Sequence, residues 1–286
     1  MASSRQTGGE GRGPRRRAGS HPAFVSVIAL ALCGTSLVGC TLGSAGSSTD
    51  QGLQGLQGAQ GSRTVTVLAA ASLTDAFESI AADLEAATPG TEVVLSFGSS
   101  STLALQVRAG APADVLATAD PTTMATALDG LTLEGSGAAP SPVLFARNDL
   151  VIAVAPGNPL GITDLTDLAA DGLVVSRCAP AVPCGTLADA ALAAAGITLA
   201  GASEAPDVKA AFAPLVAGQV DAALVYRSDV VASTGADHVE LAPAVAQTTA
   251  YPIASLTGSA VADAFVESVL SEAGAATLAE HGLHAP

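Results

Sequence analysis

Hydrophobic and polar positions along this chain follow two periods, one typical of β-strands and the other of α-helices. From Thr64 onward, Val65 and Val67 alternate with threonine, which favours a strand. After Ser72 the spacing changes to the period of a helix. The apolar positions that carry this second period are Leu73, Phe77, Ile80, Ala81 and Leu84. The stretch from Thr64 to Thr74 is therefore predicted to be a strand that enters a helix through a short turn at Ser72.

The same arrangement occurs a second time a little further along the chain. Residues 93–95 are predicted to be a strand, 97–101 a turn with three consecutive serines, and 102–109 a helix. The first turn of a helix has unpaired backbone N–H groups and the positive end of the helix dipole, and serine hydroxyls add further donors. We expect the two turns to face each other across a cleft and to hold a small oxyanion. For either turn alone, N-capping is the simpler interpretation.

Strands and helices continue to alternate to the end of the chain. Further strands are predicted at 115–119, 150–154, 173–175, 222–226, 239–241 and 249–253, and further helices at 165–169, 187–195, 207–217, 260–270 and 273–281. Such alternation predicts an α/β fold with a mainly parallel sheet and helices on both faces. Ligands in such sheets bind beyond the carboxyl ends of the strands, where both serine turns lie.

The amino-terminal residues have a different character. Residues 1–39 contain several arginines followed by a short apolar run, which is the layout of a secretory signal peptide. The run ends in Leu37-Val38-Gly39-Cys40, which resembles a bacterial lipobox and implies cleavage before Cys40 and lipidation of its thiol. An ordinary signal peptide with a chance cysteine is the alternative. Residues 40–62 are rich in Gly, Ser and Gln and are predicted to be a flexible tether.

Composition limits the partners and the chemistry. The 286 residues are 49% hydrophobic, enough for one or two domains with a sizeable core. The net charge of −15 argues against nucleic acid or an acidic membrane surface as a partner, because phosphates would be repelled. A serine nucleophile would need a histidine, and the four in the chain lie in the signal peptide, at the carboxyl end and at position 238. We therefore expect no enzyme activity.

Four side chains after the serine turns could carry chemistry. Cys178 and Cys184 lie close together and, in an exported protein, are free to form a disulfide; two reduced thiols in the core are the alternative. With no further ligands near them, a metal site is not predicted. Tyr226 ends a predicted strand, where its phenol could donate a hydrogen bond or lie with its tip in water. Lys209, the only lysine, is expected to be solvated.

Four motifs together resemble a known family. In order, they are Ala69-Ala70-Ala71-Ser72-Leu73-Thr74, Ser96-Phe97-Gly98-Ser99-Ser100-Ser101-Thr102-Leu103, Gly110-Ala111-Pro112-Ala113-Asp114 and Val225-Tyr226-Arg227-Ser228-Asp229. They are similar to motifs of the molybdate-binding proteins of bacterial ABC importers, over the chain from about Thr64 onward. The resemblance implies a two-lobed type II periplasmic-binding-protein fold with the ligand cleft between the lobes. It implies lobe 1 at 63–147 plus 251–286 and lobe 2 at 148–250.

The resemblance also implies a ligand and a set of donors. The ligand would be molybdate or tungstate, with no cofactor and no metal cation. Its donors would be the hydroxyl and backbone N–H groups of Ser72 and Ser100, the backbone N–H groups of Cys184 and Val208, and the phenol of Tyr226. Cys178 and Cys184 depart from the family's usual pattern. The protein would work as a monomer, anchored by lipid on the extracytoplasmic face of the membrane, and would deliver its ligand to an ABC permease.

Physical chemistry agrees with these expectations. Charge-assisted hydrogen bonds from neutral donors can hold a dianion in a dry cleft without burying a cation. A cavity fitted to long metal–oxygen bonds would leave sulfate unable to reach every donor, and a protonated phosphate would need an acceptor. A binding protein for another oxyanion such as sulfate is the competing interpretation. Closure is expected at the two crossings between lobes, near 147–151 and 247–252.

Overall fold

The computed structural model describes residues 63–133, 135 and 137–286, and the predicted signal peptide, tether and lipidated Cys40 lie outside the described residues. The strands are β1 Arg63–Ala70, β2 Thr91–Gly98, β3 Val115–Ala117, β4 Val143–Val154, β5 Val175–Cys178, β6 Ser203–Ala205, β7 Ala222–Tyr226, β8 Asp237–Glu240 and β9 Thr248–Ser255. The α-helices are α1 Thr74–Ala87, α2 Ser100–Arg108, α3 Pro121–Leu128, α4 Pro183–Ala195, α5 Val208–Val216, α6 Arg227–Val231, α7 Ala260–Leu270 and α8 Glu272–Glu280. Short 3-10 turns occupy Ala71–Leu73 and Asp167–Ala169.

The strands form one continuous sheet in the order β2-β1-β3-β9-β4-β7-β5-β6, with β8 paired to β4 off this path. The pairs of β1 with β2 and β3, and of β5 with β6 and β7, are parallel. The pairs made by β4 and β9 are antiparallel. Two parallel α/β halves are therefore joined through an antiparallel centre. The carboxyl ends of the parallel strands in the two halves provide the turns from which α1, α2, α4 and α5 begin.

The strand β4 belongs to both halves of the sheet. Its first part pairs with β9, where Asn148 lies opposite Thr249, and its second part pairs with β7 and β8. The predicted crossings near 147–151 and 247–252 thus lie side by side in the structure. Sequence analysis placed this strand only at 150–154, because the polar residues Arg147, Asn148 and Asp149 interrupt its apolar pattern.

The hydrophobic core runs through both halves. A chain of aromatic contacts links Phe265 on α7 to Phe77 on α1 with ring centroids 5.5 Å apart, and Phe77 to Phe145 on β4 at 5.8 Å. It continues from Phe145 to Tyr251 on β9 at 6.2 Å and ends at Tyr226 on β7, 6.1 Å further. Edge-to-face pairs of this kind add specific geometry to the burial of apolar area. The core therefore packs directly against the carboxyl end of β7.

Most predicted elements are present with shifted ends. The strand predicted at 173–175 is β5 at Val175–Cys178, the helix predicted at 165–169 is only a 3-10 turn, and β6 was not predicted. Asp120 caps α3, as the Asp-Pro sequence indicates, by accepting a 2.7 Å hydrogen bond from the backbone N–H of Thr123. Across the part of the chain that the structure describes, no helix is both long and apolar enough to cross a membrane.

Candidate functional site

One small cavity lies where the amino-terminal turns of several helices converge. It is small, with a volume of about 20 Å³. The five residues assigned to the oxyanion by sequence all line it: Ser72, Ser100, Cys184, Val208 and Tyr226. The two serines come from one half of the sheet and the other three residues from the other half. The cavity therefore lies between the two halves.

Ser100 begins α2, and its hydroxyl is held by the protein as an acceptor. Its Oγ accepts a 2.9 Å hydrogen bond from the backbone N–H of Ala119, just beyond β3. Since a backbone N–H can only donate, this bond leaves the hydrogen of the Ser100 hydroxyl for another partner. The residue is 2% exposed and faces the cavity. Ser100 is therefore positioned as a hydrogen-bond donor to a bound anion.

Ser72 lies in the 3-10 turn between β1 and α1, and its hydroxyl contacts a tyrosine from much later in the chain. The Oγ of Ser72 lies 2.8 Å from the hydroxyl of Tyr251, which is fully buried on β9. No side chain caps the 3-10 turn, α1 or α2. The simpler interpretation of the serine turns as N-caps is therefore wrong, and their hydroxyls serve other partners.

Cys184 and Val208 offer backbone N–H groups at the starts of two helices. In α4, the N–H groups of Gly185 and Thr186 donate to the carbonyl of Val182, so Cys184 precedes the bonded part of the helix. In α5, the carboxylate of Asp207 accepts from the N–H of Ala210 at 2.9 Å, while Val208 is the first helical residue. Both first turns line the cavity with the positive end of a helix dipole.

A disulfide joins Cys178 to Cys184, whose Cα atoms lie 5.7 Å apart. It closes the loop that leads from β5 into α4. The same loop is tied to β6 by a 2.8 Å hydrogen bond from the N–H of Ala179 to the carbonyl of Ala205. Cys184 thus offers the cavity its backbone while its side chain is fixed by the disulfide.

Tyr226 is 1% exposed, so the alternative of a phenol tip in water is wrong. Its hydroxyl is buried at the cavity and makes no hydrogen bond with the part of the chain that the structure describes; the same holds for the Oγ of Ser99. Burial raises the pKa of Tyr226 well above its ordinary value, and the nearby Tyr251 and Asp229 raise it further. The phenol therefore keeps its proton and can donate a hydrogen bond to a ligand.

No basic side chain is among the residues that line the cavity. Lys209, expected to be solvated, is instead ion-paired: its Nζ lies 2.6 Å from Asp75 and 3.7 Å from the carboxylate of Asp229. The expectation was wrong because Asp75, on α1, comes from the opposite half of the sheet. An anion in the cavity would therefore meet neutral donors rather than a cation.

Asp229 is the one titratable group in the described residues whose pKa is moved into the neutral range. Burial raises the pKa of its carboxyl from 3.8 to about 7; the charge of Lys209 opposes this shift and that of Asp75 adds to it. The folded state thus binds more protons than the unfolded state between those two values, and stability falls as pH rises through that window.

We therefore expect Asp229→Asn to change the pH dependence of stability. Each pKa unit is worth about 1.4 kcal/mol, so wild type should lose a few kcal/mol in free energy of unfolding between pH 4 and pH 8 that the variant keeps. Urea unfolding of both proteins at the two pH values measures this difference. Parallel pH profiles would show that Asp229 does not titrate in this way.

Two residues behind the site were not predicted from the sequence, and Ser99 belongs to the predicted serine turn but was not assigned to the ligand. Ser99 lines the cavity, whereas Tyr251 and Asn148 form a buried layer behind Ser72. The serine run pointed to Ser99, but Tyr251 and Asn148 carried no local signal. Among the described residues, no group of three or more His, Cys, Asp or Glu side chains is placed to hold a metal ion.

Comparison with known proteins identifies the family of this chain. The family model described as bacterial extracellular solute-binding protein matches residues 65–284. The molybdate-binding protein ModA of Mycobacterium tuberculosis is 38% identical over 228 residues, which are 78% of this chain and 85% of that protein. Escherichia coli ModA is 35% identical over 205 residues, which are 68% of this chain and 77% of that protein.

A solved structure extends the similarity to the fold. The periplasmic molybdate-binding protein of Azotobacter vinelandii superposes with a TM-score of 0.69 at 21% identity, covering 78% of this chain and 99% of that one. At that identity the match supports the two-lobed solute-binding fold alone. The family comprises substrate-binding proteins of transporters rather than enzymes. From the match over residues 65–284 and the identity to ModA proteins, the chain belongs to the bacterial extracellular solute-binding proteins and, within them, to the molybdate-binding ModA family.

Proposed function

We propose that this protein captures molybdate, and also tungstate, outside the cytoplasm and delivers it to an ABC importer. The observation that carries the proposal is the set of neutral hydrogen-bond donors that converge on the cavity. Hydroxyls of Ser72, Ser100 and Tyr226 and the first turns of α4 and α5 all face a space of about 20 Å³. The ModA relatives support molybdate as the ligand.

Two of the side-chain hydrogen-bond acceptors at the cavity already have donors within the protein, which supports a fully ionised anion as the ligand. The Oγ of Ser100 already accepts from Ala119, and the one carboxylate in the lining, Asp207, accepts from the N–H of Ala210. An anion with no proton can accept from every donor, whereas an anion with a proton would need an acceptor for it. Molybdate and tungstate carry no proton near neutral pH, and phosphate does.

Size supports the same ligand class. A small cavity with donors on several sides suits a compact ligand. A tetrahedral oxyanion reaches donors in several directions at once. Each charge-assisted bond contributes about 1.5–3 kcal/mol, so a handful of them can give tight binding without a buried cation.

The two halves of the sheet are proposed to move as lobes, with lobe 1 at 63–147 plus 251–286 and lobe 2 at 148–250. The adjacent strands β4 and β9 connect them, which supports a hinge at 147–151 and 247–252. The ion pair between Asp75 and Lys209 spans the two halves and would break on opening. Lipidation of Cys40, membrane anchoring and a monomeric state stay predictions from the sequence.

Isothermal titration of the purified protein tests the function. Molybdate, tungstate, sulfate and phosphate are titrated separately at neutral pH. Tight one-to-one binding of the first two, with sulfate at least about a hundredfold weaker, is expected; that ratio is about 2.7 kcal/mol. Equal binding of sulfate would make the protein a general oxyanion binder. No heat with any of the four would overturn the proposal.

Tyr226→Phe should raise stability and weaken binding at once. The buried Tyr226 hydroxyl makes no hydrogen bond with the described residues, so removing it should raise the free energy of unfolding of the ligand-free protein by about 1 kcal/mol. The loss of the hydrogen bond from the phenol to the dianion should weaken molybdate binding by at least about tenfold. Thermal unfolding and calorimetry measure the two effects. A loss of both stability and affinity would show that the hydroxyl has a structural partner instead.

A further inference from the structure

Behind Ser72 lies a buried chain of hydrogen bonds that no predicted role accounts for. It consists of Tyr251 on β9, Asn148 on β4 and Ser228 on α6. All three are buried, and the most exposed of them, Ser228, is 3% exposed. The hydroxyl of Tyr251 lies 2.8 Å from the Oγ of Ser72 and 3.3 Å from the amide nitrogen of Asn148. Since Tyr251 and Ser72 are both hydroxyls, the direction of the bond between them depends on what surrounds them.

The orientation of the Asn148 amide is fixed by a group that can only donate. The backbone N–H of Ser228 approaches the Oδ1 of Asn148 at 3.4 Å, so the oxygen must lie on that side. The Nδ2 then donates to the Oγ of Ser228 at 2.7 Å and to the hydroxyl of Tyr251 at 3.3 Å. The Oγ of Ser228 in turn donates to the carbonyl of Ser72 at 3.4 Å. Every donor in this group thus has an acceptor.

The direction of the remaining bond follows. Tyr251 accepts from Asn148, so its own hydrogen goes to the nearest other acceptor, the Oγ of Ser72. Burial raises the pKa of Tyr251 above its ordinary value, so the phenol keeps this hydrogen at any working pH. Ser72 receives a bond from behind, and its own hydrogen is left for the cavity.

We propose that Tyr251 is a positioning residue that, held by Asn148, fixes Ser72 as a hydrogen-bond donor toward the ligand. The inference rests on the proposed binding of an oxyanion at this site. Both serine hydroxyls are then oriented in the same way: Ser100 by the N–H of Ala119 and Ser72 by the phenol of Tyr251. A hydroxyl that accepts one hydrogen bond is polarised and becomes a stronger donor. The hydrogen bond from Tyr251 therefore both orients the Ser72 hydroxyl and strengthens its bond to the ligand.

A double-mutant cycle tests this role, because Tyr251 should act on the ligand only through Ser72. In the wild-type background, Tyr251→Phe should weaken molybdate binding about tenfold, about 1.4 kcal/mol. In the Ser72→Ala background, the same change should alter affinity by less than about twofold. Equal losses in both backgrounds would show a merely structural role, and so would no loss in wild type.

The other buried tyrosine provides a matched control. Tyr226→Phe removes a hydroxyl that faces the cavity directly, so it should weaken binding by a similar factor with or without Ser72. If the wild-type protein binds none of the four anions, the proposed function fails. If wild type binds molybdate tightly and the cycle is additive, only the role of Tyr251 fails.

If Tyr251→Phe does not fold, the variant Asn148→Asp tests the same hydrogen bond. Asn148→Asp keeps the shape of the side chain but can only accept when ionised, so it should draw the hydrogen of Tyr251 away from Ser72. Its negative charge repels an anion in both backgrounds, so only the difference between backgrounds reports the hydrogen bond. We expect the loss in wild type to exceed the loss in Ser72→Ala by about tenfold, and equal losses would overturn the proposal.

Discussion

Replacing Ser100 by alanine is expected to weaken molybdate binding by about a hundredfold, about 2.7 kcal/mol. The variant would remove the proposed charge-assisted hydrogen bond to the dianion, and such a bond contributes about 1.5–3 kcal/mol. It also removes the acceptor for the N–H of Ala119, which lies 2.9 Å from the Oγ in a buried environment. The turn that carries Ala119 lines the same cavity, so its displacement should add to the loss. Isothermal titration with molybdate measures the effect.

The neighbouring Ser101 offers a matched control. Its hydroxyl donates to the carbonyl of Ala181 at 3.0 Å in an exposed position and does not line the cavity. Ser101→Ala should therefore change affinity by less than about fivefold, because an exposed hydrogen bond contributes about 1 kcal/mol or less. If both substitutions weakened binding equally, the position of the whole turn, and not the hydroxyl of Ser100, would decide affinity.

The parts of this site that lie on one strand–turn–helix unit could be predicted from the sequence. Ser72 and Ser100 follow strands whose alternation is clear, and the change of period after each strand locates the first helical turn. The carboxyl ends of parallel strands meet at one edge, so two such turns in consecutive units had to lie near each other. The positions of Cys184, Val208 and Tyr226 needed the family resemblance.

The layer behind the site could not be predicted because its contacts are far apart in sequence. Ser72 and Tyr251 are 179 residues apart, and Asn148 and Tyr251 are 103 apart. Nothing local distinguishes Tyr251 from a core tyrosine or Asn148 from a surface residue of a loop. Only the pairing of β4 with β9, which places Asn148 opposite Thr249, brings these side chains beneath the serine turn.

A large separation along the sequence also explains why the expectation for Lys209 was wrong. A lysine in the first turn of a helix is usually solvated, and its local sequence gives no reason to expect otherwise. Its partner Asp75 lies 134 residues earlier and in the other half of the sheet. The buried Asp229 supplies a second carboxylate at 3.7 Å. This ion pair forms only because the two halves of the sheet come together, and the sequence pattern within either half cannot predict it.

The largest loss of stability is expected for Gly185→Ala. A Cβ at this position would lie 1.9 Å from the carbonyl oxygen of Ala179 and 2.9 Å from that of Cys178. Both are backbone atoms of the loop closed by the disulfide, so no side chain can move aside to make room. Overpacking of this kind usually costs about 1–3 kcal/mol, and a contact this short belongs at or above the upper end. Thermal and urea unfolding measure the loss.

Binding should fail in the same variant for a geometric reason. To relieve the contact, the first turn of α4 must move by roughly 1 Å, and that turn carries the Cys184 N–H that lines the cavity. A shift of about this size can cost a hundredfold where geometry is shared among several bonds. Gly274→Ala is the matched control, since its Cβ would lie 2.2 Å from the carbonyl oxygen of Ser268, at the α7–α8 junction away from the cavity. Gly274→Ala should lose comparable stability but keep wild-type affinity below its melting temperature. If Gly185→Ala also kept wild-type affinity, the first turn of α4 would not hold the ligand.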